Sequence, residues 1–492
     1  MAQHRHHAGP SVPGRAQPPP SAQLRVRLPR HPEDLARPLP LRRPGPSHRL
    51  DPHRGHRGQG IHGRRRSCHE EGRSRPRPRG PHGGLHHRRR RAHQSRPQAE
   101  AGRHDPPLRI CRREGPHRPH RQDREGPAVN MTPRQRVEAA LRHREPDRTP
   151  FFEYVLLSPL ADQFLGRPYA GDPANWAPCV QALGWQRAVR QNAMDRLDLA
   201  ALLGHDLLYA TPNPVPCGRG VSAPRGRSAP PTEDEDPVER VRLRNERAAV
   251  ANPAPHDDSL RLYAELKDMM RQRDMDLPIL APAYAHGVWT DVDLLQTMAL
   301  APEVAHEHFA LATRRSLAAV EKYLALGVDM IGVGGDFAGN RPLISPEAYR
   351  TFIMPEVRKV ARRVHRAGLW AVNASDGNLW PVLEDFLLGC EVDGYLEIDQ
   401  HAGMDLRQLK AAYGGRITFF GNLDCGNTLS FGSPADVRRH TLECIEAGWG
   451  RGGHILCASN AITAGVPMAN YLALLAAYRG RFGLPPLGAP LT

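Results

Sequence analysis

The sequence predicts an α/β protein, a parallel (β/α)8 barrel of the TIM type that follows a basic leader of different composition. Eight short apolar runs fill the chain from about Thr149 onward, and each ends at a polar or glycine-rich tip. Most of these runs precede a helical pattern, and eight strand-then-helix units are the number that closes such a barrel. The predicted strands are residues 150–155, 206–210, 278–283, 330–334, 369–372, 394–398, 416–420 and 454–457.

The leader, residues 1–130, differs sharply in composition from the rest. It has 30 Arg, no Lys, 10 Asp plus Glu and no aromatic residue, so its net charge is 30 − 10 = +20. The whole chain carries 68 − 52 = +16, which leaves 38 − 42 = −4 for residues 131–492. A segment without aromatic residues cannot bury enough apolar surface to offset the entropy of ordering its backbone. We therefore expect the Arg/Pro/His-rich leader to be disordered.

Three explanations for the leader are open. Dense Arg is typical of a nucleic-acid-binding arm, whereas a targeting peptide needs an apolar core that this segment lacks. Arg without Lys, together with many His and Pro, is also what GC-rich DNA gives when it is read out of frame. We favour the last explanation, with Met131 as the true start and no nucleic-acid partner, and we expect residues 131–492 to form one barrel domain.

Helix start signals support the alternation of strands and helices. Thr132, Ser345 and Ser433 each precede a proline, in the order of a helix N-cap and first turn. Pro302 and Pro467 begin two further predicted helices, and we expect Pro355 to bend the helix that follows Ser345. Residues 212–255 form a long excursion between the second and third strands, predicted as a cover over the barrel mouth with a hairpin around residues 238–250.

Cysteine usage and hydropathy exclude several classes of protein. The six Cys after residue 130 have no CxxC spacing, so neither a disulfide framework nor a structural zinc site is indicated. No run of 18 apolar residues is present, which predicts that no segment spans a membrane. A cytoplasmic, reducing compartment is the expectation that follows.

Polar side chains at the strand tips point to the chemistry, because parallel barrels place their sites on the loops after the strands. Five of these tips are acidic: Asp336, Asp376, Glu397, Asp399 and Asp424. Each acidic residue alone is equally well explained as a helix cap or a turn residue. Five acidic residues on one rim are harder to explain by such local roles. Carboxylates grouped in a partly desolvated mouth raise one another's pKa, so one could hold a proton near neutral pH and act as an acid.

Metal and phosphate motifs are weak in this sequence. His454 and Cys457 lie three apart on a predicted strand, so their side chains face opposite sides. A single histidine such as His286 is more often a hydrogen-bonding residue than a ligand. No His-x-Cys pair and no glycine-rich phosphate loop follows a strand. We therefore predict no metal site and no cofactor.

Several motifs resemble uroporphyrinogen decarboxylase-like proteins. They occur in the family's order from residue 131 to about 485, and the resemblance implies a β/α barrel without an organic cofactor. The two known branches of that superfamily are tetrapyrrole decarboxylases and zinc-dependent methyltransferases that take methyl groups from corrinoids. The similar stretches are residues 131–150, 335–347, 375–378, 402–406, 421–424, 431–434 and 466–470.

The chain departs from both branches at specific positions. The decarboxylases carry an Arg-rich segment after the first strand, where this chain reads Glu153-Tyr-Val-Leu-Leu, and a His where it has Asn460. The methyltransferases carry His-x-Cys after the fifth strand and Cys after the eighth, where this chain has Ala374, Asp376 and Asn460. The resemblance therefore leaves zinc and its thiolate ligands in doubt.

Three functions remain open. The first is cofactor-free acid/base chemistry of the decarboxylase kind, a lyase reaction on a tetrapyrrole or related small molecule. The second is a corrinoid-linked methyltransferase, with zinc or corrinoid involved and a corrinoid protein as partner, and the third is a non-catalytic binding barrel. Because barrels of this family often pair, a homodimer is one expected assembly. The predicted catalytic residues are Asp336, Asp376 and Glu397; the predicted substrate-binding residues are Tyr154, His286, Asn378, Asn422, Asp424 and Asn460.

Overall fold

A parallel sheet whose strands follow one another in chain order forms the centre of the protein. The structure is a computed structural model and describes residues 130–216 and 236–487. Seven strands pair in the order β1 to β7, and all of the pairs are parallel. The strands are β1 Leu208–Tyr209, β2 Ile279–Pro282, β3 Met330–Gly334, β4 Trp370–Ala374, β5 Gly394–Leu396, β6 Thr418–Phe420 and β7 His454–Ile455.

The first predicted strand closes the ring between β7 and β1. We call residues 150–157 the closing segment. Phe151 pairs with Leu456 in a parallel bridge, and Leu456 N donates to Pro150 O at 2.8 Å. On the other side Asp206 N donates to Phe151 O at 2.7 Å. The predicted eight-unit α/β barrel is therefore confirmed, with seven regular strands and one irregular one.

Helices surround this ring and begin at the predicted signals. Thr132 and Ser433 each form a capping box, and Ser345 caps with its hydroxyl. The expected bend near Pro355 is a π-helical turn, Tyr349–Ile353, directly before the proline's helix. The helices are α1 Pro133–Leu141, α2 Leu160–Leu165, α3 Pro173–Leu183, α4 Trp185–Leu203, α5 Pro237–Val250, α6 Arg261–Gln272, α7 Val292–Leu300, α8 Pro302–Ala325, α9 Pro346–Ala348, α10 Met354–Arg366, α11 Leu406–Tyr413, α12 Pro434–Gly448 and α13 Met468–Arg481.

The hairpin prediction was wrong. The segment is helix α5, which starts at Pro237 with Asp236 as its N-cap. Val241 is fully buried, and Arg240 and Arg244 bind Asp293 and Asp291, which lie in and just before α7. The start signal, a capping side chain followed by proline, is the one that begins α1, α3, α9 and α12. Residues 217–235 of the excursion and the leader lie outside the described residues.

The apolar core has an inner and an outer part. The inner part is one cluster of buried side chains, which we call the inner cluster and which includes Phe152, Leu280, Leu396 and Phe420. Two larger clusters fill the space between the strands and the helices. Cys457 is 1% exposed in this inner cluster and is therefore a buried core thiol. No helix in the described residues is both long and apolar enough to cross a membrane.

A buried ion-pair network fixes the start of the barrel. Asp206 is fully buried and accepts hydrogen bonds from Arg136 at 2.6 Å and from Arg148 at 2.7 Å. It also accepts from the backbone N–H of Phe151 at 3.0 Å. Arg136 further binds Asp147 at 2.6 Å. The network therefore ties α1 to the closing segment and to the strand that starts near Asp206.

Candidate active site

Asp336 follows β3 at a point where the chain touches the loop after β2, and each of the two loops has a glycine there, Gly335 and Gly287. Gly335 has φ +135°, and a Cβ there would lie 2.8 Å from the backbone nitrogen of Gly287 in the loop after β2. The two loops therefore touch, and Val288 N donates to Asp336 O at 2.8 Å. Close backbone approach of this kind is a reason for glycine. It holds the Asp336 carboxylate at the barrel mouth.

Asp376 follows β4 and is hydrogen-bonded to two other residues of the mouth. Its backbone N–H donates to Asp336 Oδ1 at 3.1 Å, so the two neighbouring loops are linked. Asn460, from the loop after β7, donates from Nδ2 to Asp376 Oδ2 at 2.7 Å. The position of the Asp376 carboxylate is therefore set from both sides of the mouth.

Glu397 follows β5 and completes a cluster of three carboxyl groups. One carboxylate oxygen each of Asp336, Asp376 and Glu397 lies within 4.8 Å of the others. The Glu397 residue is 8% exposed, and its φ is +70°, which is rare for a residue with a side chain. Such backbone strain persists only where the surroundings impose it, and it is common at functional sites. All three predicted catalytic residues are thus brought together.

The carboxyl groups of this cluster hold protons more tightly than usual. Burial first, and then repulsion from Asp376 and Asp336, raises the pKa of Glu397 to about 8. Burial also raises the pKa of Asp376 to about 6, although its hydrogen bond from Asn460 opposes the shift. The pKa of Asp336 is raised by burial as well. At neutral pH Glu397 is therefore mainly protonated and can donate a proton.

Three tyrosines line the barrel beside Glu397. Tyr154 forms a hydrogen bond with the Glu397 carboxyl group that favours its ionised form, and its ring lies 4.4 Å from that of Tyr209. The Tyr284 ring occupies the space where a side chain at Gly332 would otherwise project. The Tyr284 hydroxyl is buried and has no hydrogen-bond partner in the described part of the chain. These rings form an apolar wall with polar tips next to the acid.

Two cavities that share Asp336 form the mouth. The rim cavity, about 480 Å³, is lined by Asp336, Asp376, Asp399, Asp424 and Asn460, together with Trp289, Asn340 and His401. The lumen cavity, about 320 Å³, is lined by Tyr154, Tyr284, Asp336, Ala374 and Glu397. Among the described residues that line either cavity there is no Lys or Arg. The mouth is thus acidic and suits a neutral or cationic molecule better than a polyanion.

Asp424 and Asp399 reach the rim but also serve local structure. Asp424 accepts from the backbone N–H groups of Asn427 and Thr428, both at 3.1 Å, as a cap of the helical turn that follows. Asp399 accepts from Ala402 N at 3.1 Å. Asp424 is therefore both a helix cap and a member of the acidic rim, and Asp399 is both a turn residue and a member of that rim. A local structural role and a place at the mouth, which the sequence left open as alternatives, thus occur together in both residues.

Three predicted substrate-binding residues line neither cavity. His286 is 1% exposed, and its Nε2 lies 2.9 Å from the Thr313 hydroxyl. The Asn378 side chain accepts from Trp380 N at 3.1 Å, and Asn422 donates to Met404 O at 3.2 Å. The amide groups of both asparagines thus make hydrogen bonds that stabilise loops.

Three residues that line the mouth were not predicted from the sequence: Tyr284, Trp289 and His401. Tyr284 follows β2 at the same distance from the strand end that other tip residues have, so the strand-tip rule could have identified it. Trp289 is half exposed at the rim, and His401 Nε2 lies 3.7 Å from Asp424 Oδ2. Both residues lie in irregular loops, where the alternation of side chains along a strand does not predict which residues face the mouth.

The ligand atoms of the carboxyl cluster determine which kind of metal ion it suits. Three carboxylates without thiolate or imidazole suit a hard cation that prefers oxygen ligands. The positions at which the family resemblance places zinc ligands hold Ala374, Asp376 and Asn460. An alanine and an amide provide neither a thiolate nor an imidazole, so these residues do not fit a zinc site of the His-x-Cys type.

Comparisons with known proteins agree with the resemblance seen in the motifs. Residues 280–481 match the family model described as uroporphyrinogen decarboxylase (URO-D). The methylated-thiol–coenzyme M methyltransferase of Methanosarcina mazei is 25% identical over 189 residues, which are 38% of this chain and 46% of that protein. The chain therefore matches slightly less than half the length of this curated relative.

A solved structure supports the fold. The structure of a methyltransferase from Methanosarcina mazei matches with a TM-score of 0.51 and 17% identity, covering 72% of this chain and all of that one. At this level of identity the match shows the barrel fold alone. The predicted resemblance to the uroporphyrinogen decarboxylase superfamily, a superfamily of enzymes, is thus confirmed.

Proposed function

We propose that this chain is an enzyme in which Glu397 donates a proton to a small neutral or cationic substrate at the barrel mouth. The observation that carries the proposal is the three-carboxyl cluster, in which burial and then repulsion raise the pKa of Glu397 to about 8. Asp376 and Asp336 maintain that repulsion, and Asn460 and Tyr154 orient the groups. General acid catalysis of this kind contributes about 10²- to 10⁴-fold to a rate.

Methyl transfer is the first candidate reaction. It is supported by the similarity to the methylated-thiol–coenzyme M methyltransferase and by the acidic lining of the mouth. In this reaction the bond between the methyl carbon and a heteroatom breaks, and its electron pair stays on the heteroatom. The proton from Glu397 neutralises that leaving atom, while the methyl group passes to a nucleophilic acceptor, carried by a partner such as a corrinoid protein, whose own electron pair would form the new bond to the methyl carbon. No step requires a zinc thiolate site in this chain.

Decarboxylation is the second candidate. There the bond to the departing carboxylate carbon breaks, carbon dioxide leaves, and the electron pair left on the substrate carbon takes the proton of Glu397. The residues Ala374, Asp376 and Asn460 provide no thiolate ligands, and this reaction needs no zinc-thiolate site. A tetrapyrrole with many carboxylates, however, suits poorly the described lining, which has acids and no Lys or Arg. A smaller acid with few charges fits better.

The test separates both reactions from a non-catalytic barrel. The full chain is incubated with methylated small molecules plus a corrinoid protein, and separately with porphyrinogens and small acids. Methyl loss and carbon dioxide release are measured by mass spectrometry. We expect turnover in one panel that falls about 10²-fold or more in Glu397→Gln and is unchanged in Glu347→Gln on the outside of the barrel. Substrate binding without turnover, unaffected by Glu397→Gln, would instead indicate a binding protein.

A further inference from the structure

The barrel wall has an opening between the closing segment and β1. Within the described residues, one backbone hydrogen bond, from Asp206 N to Phe151 O, joins these two segments. On its other side the closing segment is held to the chain after β7 at two levels, through Leu456 and through Ile462. The two segments therefore part beyond Phe151, and a gap opens between them.

A cavity of about 270 Å³ occupies this gap, and we call it the seam cavity. Most of its lining is apolar and comes from the closing segment, α4 and β1, with Leu156, Tyr169, Leu199 and Leu208 among the residues. An apolar cavity of about 150 Å³ in another protein holds benzene. The seam cavity is thus large enough for a substituted six-membered ring.

Two buried polar atoms of the lining lack hydrogen-bond partners. Glu153 is 6% exposed; its Oε2 accepts from Ala458 N at 3.4 Å, whereas Oε1 has no partner in the described residues. His205 Nε2 is also buried without a partner. The hydroxyl of Tyr471, outside the cavity lining, lies beside the Glu153 carboxyl group and acts on its pKa as a hydrogen-bond partner, but no bond of ordinary geometry joins the two groups. Buried polar atoms in native proteins are nearly always satisfied, so the poorly satisfied Glu153 Oε1 and the unpartnered His205 Nε2 point to a bound molecule.

Both groups are uncharged at neutral pH. Burial raises the pKa of Glu153 to about 8 and lowers that of His205 to about 3. The Glu153 carboxyl group is then a hydrogen-bond donor, which a neutral oxygen acceptor would satisfy. A ligand carboxylate or ammonium would instead need a compensating charge in the cavity.

Arg196 is the charged residue of the lining, and the chain already uses it. Its Nε donates to Asn192 Oδ1 at 2.9 Å and its Nη1 to Tyr209 O at 3.0 Å. Its guanidinium also lies 5.9 Å from the centre of the Tyr169 ring. With these contacts in place, the cavity favours an uncharged occupant over an anion.

We propose that the seam cavity is a binding site for a neutral, ring-sized molecule whose hydroxyl or carbonyl oxygen accepts a hydrogen bond from Glu153. The site is separate from the carboxyl cluster and does not depend on the proposed reaction. It adjoins the mouth through Tyr154, which lines the seam cavity and the lumen cavity and contacts Glu397.

Binding to the full chain is measured by isothermal titration with three matched probes: benzyl alcohol, toluene and benzoate. We expect benzyl alcohol to bind the wild type and Glu153→Gln similarly, since both present a neutral donor, and about tenfold more weakly to Glu153→Leu. Toluene, which has no acceptor, should bind the wild type and Glu153→Leu with similar affinity. Thr211→Trp, at an exposed lining position, should weaken binding of both compounds by filling the entrance.

Three results would overturn the site. They are benzyl alcohol affinity that is unchanged in both Glu153→Leu and Thr211→Trp, benzoate binding tighter than benzyl alcohol, and absence of binding by all three probes. Thermal unfolding of each variant, followed by circular dichroism, shows whether it is folded, and Thr211→Trp tests the site even if a Glu153 variant is unstable. Because turnover is not measured, failure of this site leaves the proposed enzyme function untouched.

Discussion

The side-chain amide of Asn460 donates a hydrogen bond to the Asp376 carboxylate at 2.7 Å, which links the loop after β7 to the loop after β4. These positions are where the resembled methyltransferases carry cysteines. An amide–carboxylate pair in their place changes what the mouth can hold, since it binds a proton where two thiolates would bind a soft metal. The pair also keeps Asp376 close to Glu397, whose proton affinity depends on that charge.

Replacement of Asp376 by Asn should lower both turnover and the pKa of Glu397. The negative charge of Asp376 is one cause of the raised pKa of Glu397, so its removal shifts that pKa below about 8. The alkaline limb of the pH–rate profile should therefore move to lower pH, and the rate should fall about 10²-fold. A profile identical to that of the wild type would show that Asp376 does not act on the acid.

Replacement of Tyr154 by Phe should shift the alkaline limb of the pH–rate profile to higher pH. The Tyr154 hydroxyl stabilises ionised Glu397, so its loss raises the pKa of Glu397 above about 8. Activity should then persist to higher pH. Tyr209→Phe is the matched control, because the Tyr209 hydroxyl lies 3.5 Å from that of Tyr154 and acts on Glu397 only indirectly. Equal shifts in both variants would contradict the assignment.

Glu153 should make the protein less stable as the pH rises. Its pKa is about 8 in the folded chain and near 4.5 when unfolded, so the folded state retains a proton that the unfolded state releases between these values. The free energy of unfolding therefore falls with pH across that window. Glu153→Gln should remove this part of the loss and be more stable than the wild type at pH 8.5 by on the order of 3 kcal/mol.

Urea unfolding at pH 5 and at pH 8.5 measures that difference. Glu397 also lowers the free energy of unfolding as the pH rises, but it does so in both proteins. His205 raises that free energy with pH, and only below pH 6.5. The comparison between wild type and Glu153→Gln therefore isolates Glu153. Parallel pH dependences for the two proteins would mean that Glu153 is ionised in the fold.

Loss of Asp206 should destabilise the barrel strongly. Asp206→Ala leaves Arg136, 3% exposed, and Arg148 without their shared carboxylate. Removing one partner of a buried ion pair costs about 3 to 5 kcal/mol. Asp276→Ala is the control, because the side chain of Asp276 is 58% exposed beside Arg134 and its ion pair is worth less than about 1 kcal/mol. Similar losses of unfolding free energy in both variants would argue against the network.

The fold could be predicted because its signals are local. The apolar runs located all eight strand positions, although the ends of the regular pairing lie a few residues away, as in β6 and β7. The order of a cap residue and proline located α1, α9 and α12, and a proline alone located α8 and α13. The same order at Asp236 and Pro237 was overlooked in favour of a hairpin, since the flanking prolines and charges suggested a loop.

The site could be predicted only in part. The strand-tip rule correctly brought Asp336, Asp376 and Glu397 together, because parallel strands end on one face of a barrel. It could not show that His286 turns toward Thr313, since loop geometry beyond the tip decides where a side chain points. Nor does strand periodicity reveal that a glycine at position 332 leaves room for the ring of Tyr284.

The central claim is that the carboxyl cluster holds a proton at neutral pH, and infrared difference spectroscopy tests it most directly. In a Glu153→Gln background, the carbonyl stretch of a protonated carboxyl group should be present at pH 7 and disappear with a midpoint near pH 8. Glu397→Gln should abolish that band, whereas Glu347→Gln should leave it intact. A spectrum in which every carboxyl group has lost its proton by pH 6 would contradict the account.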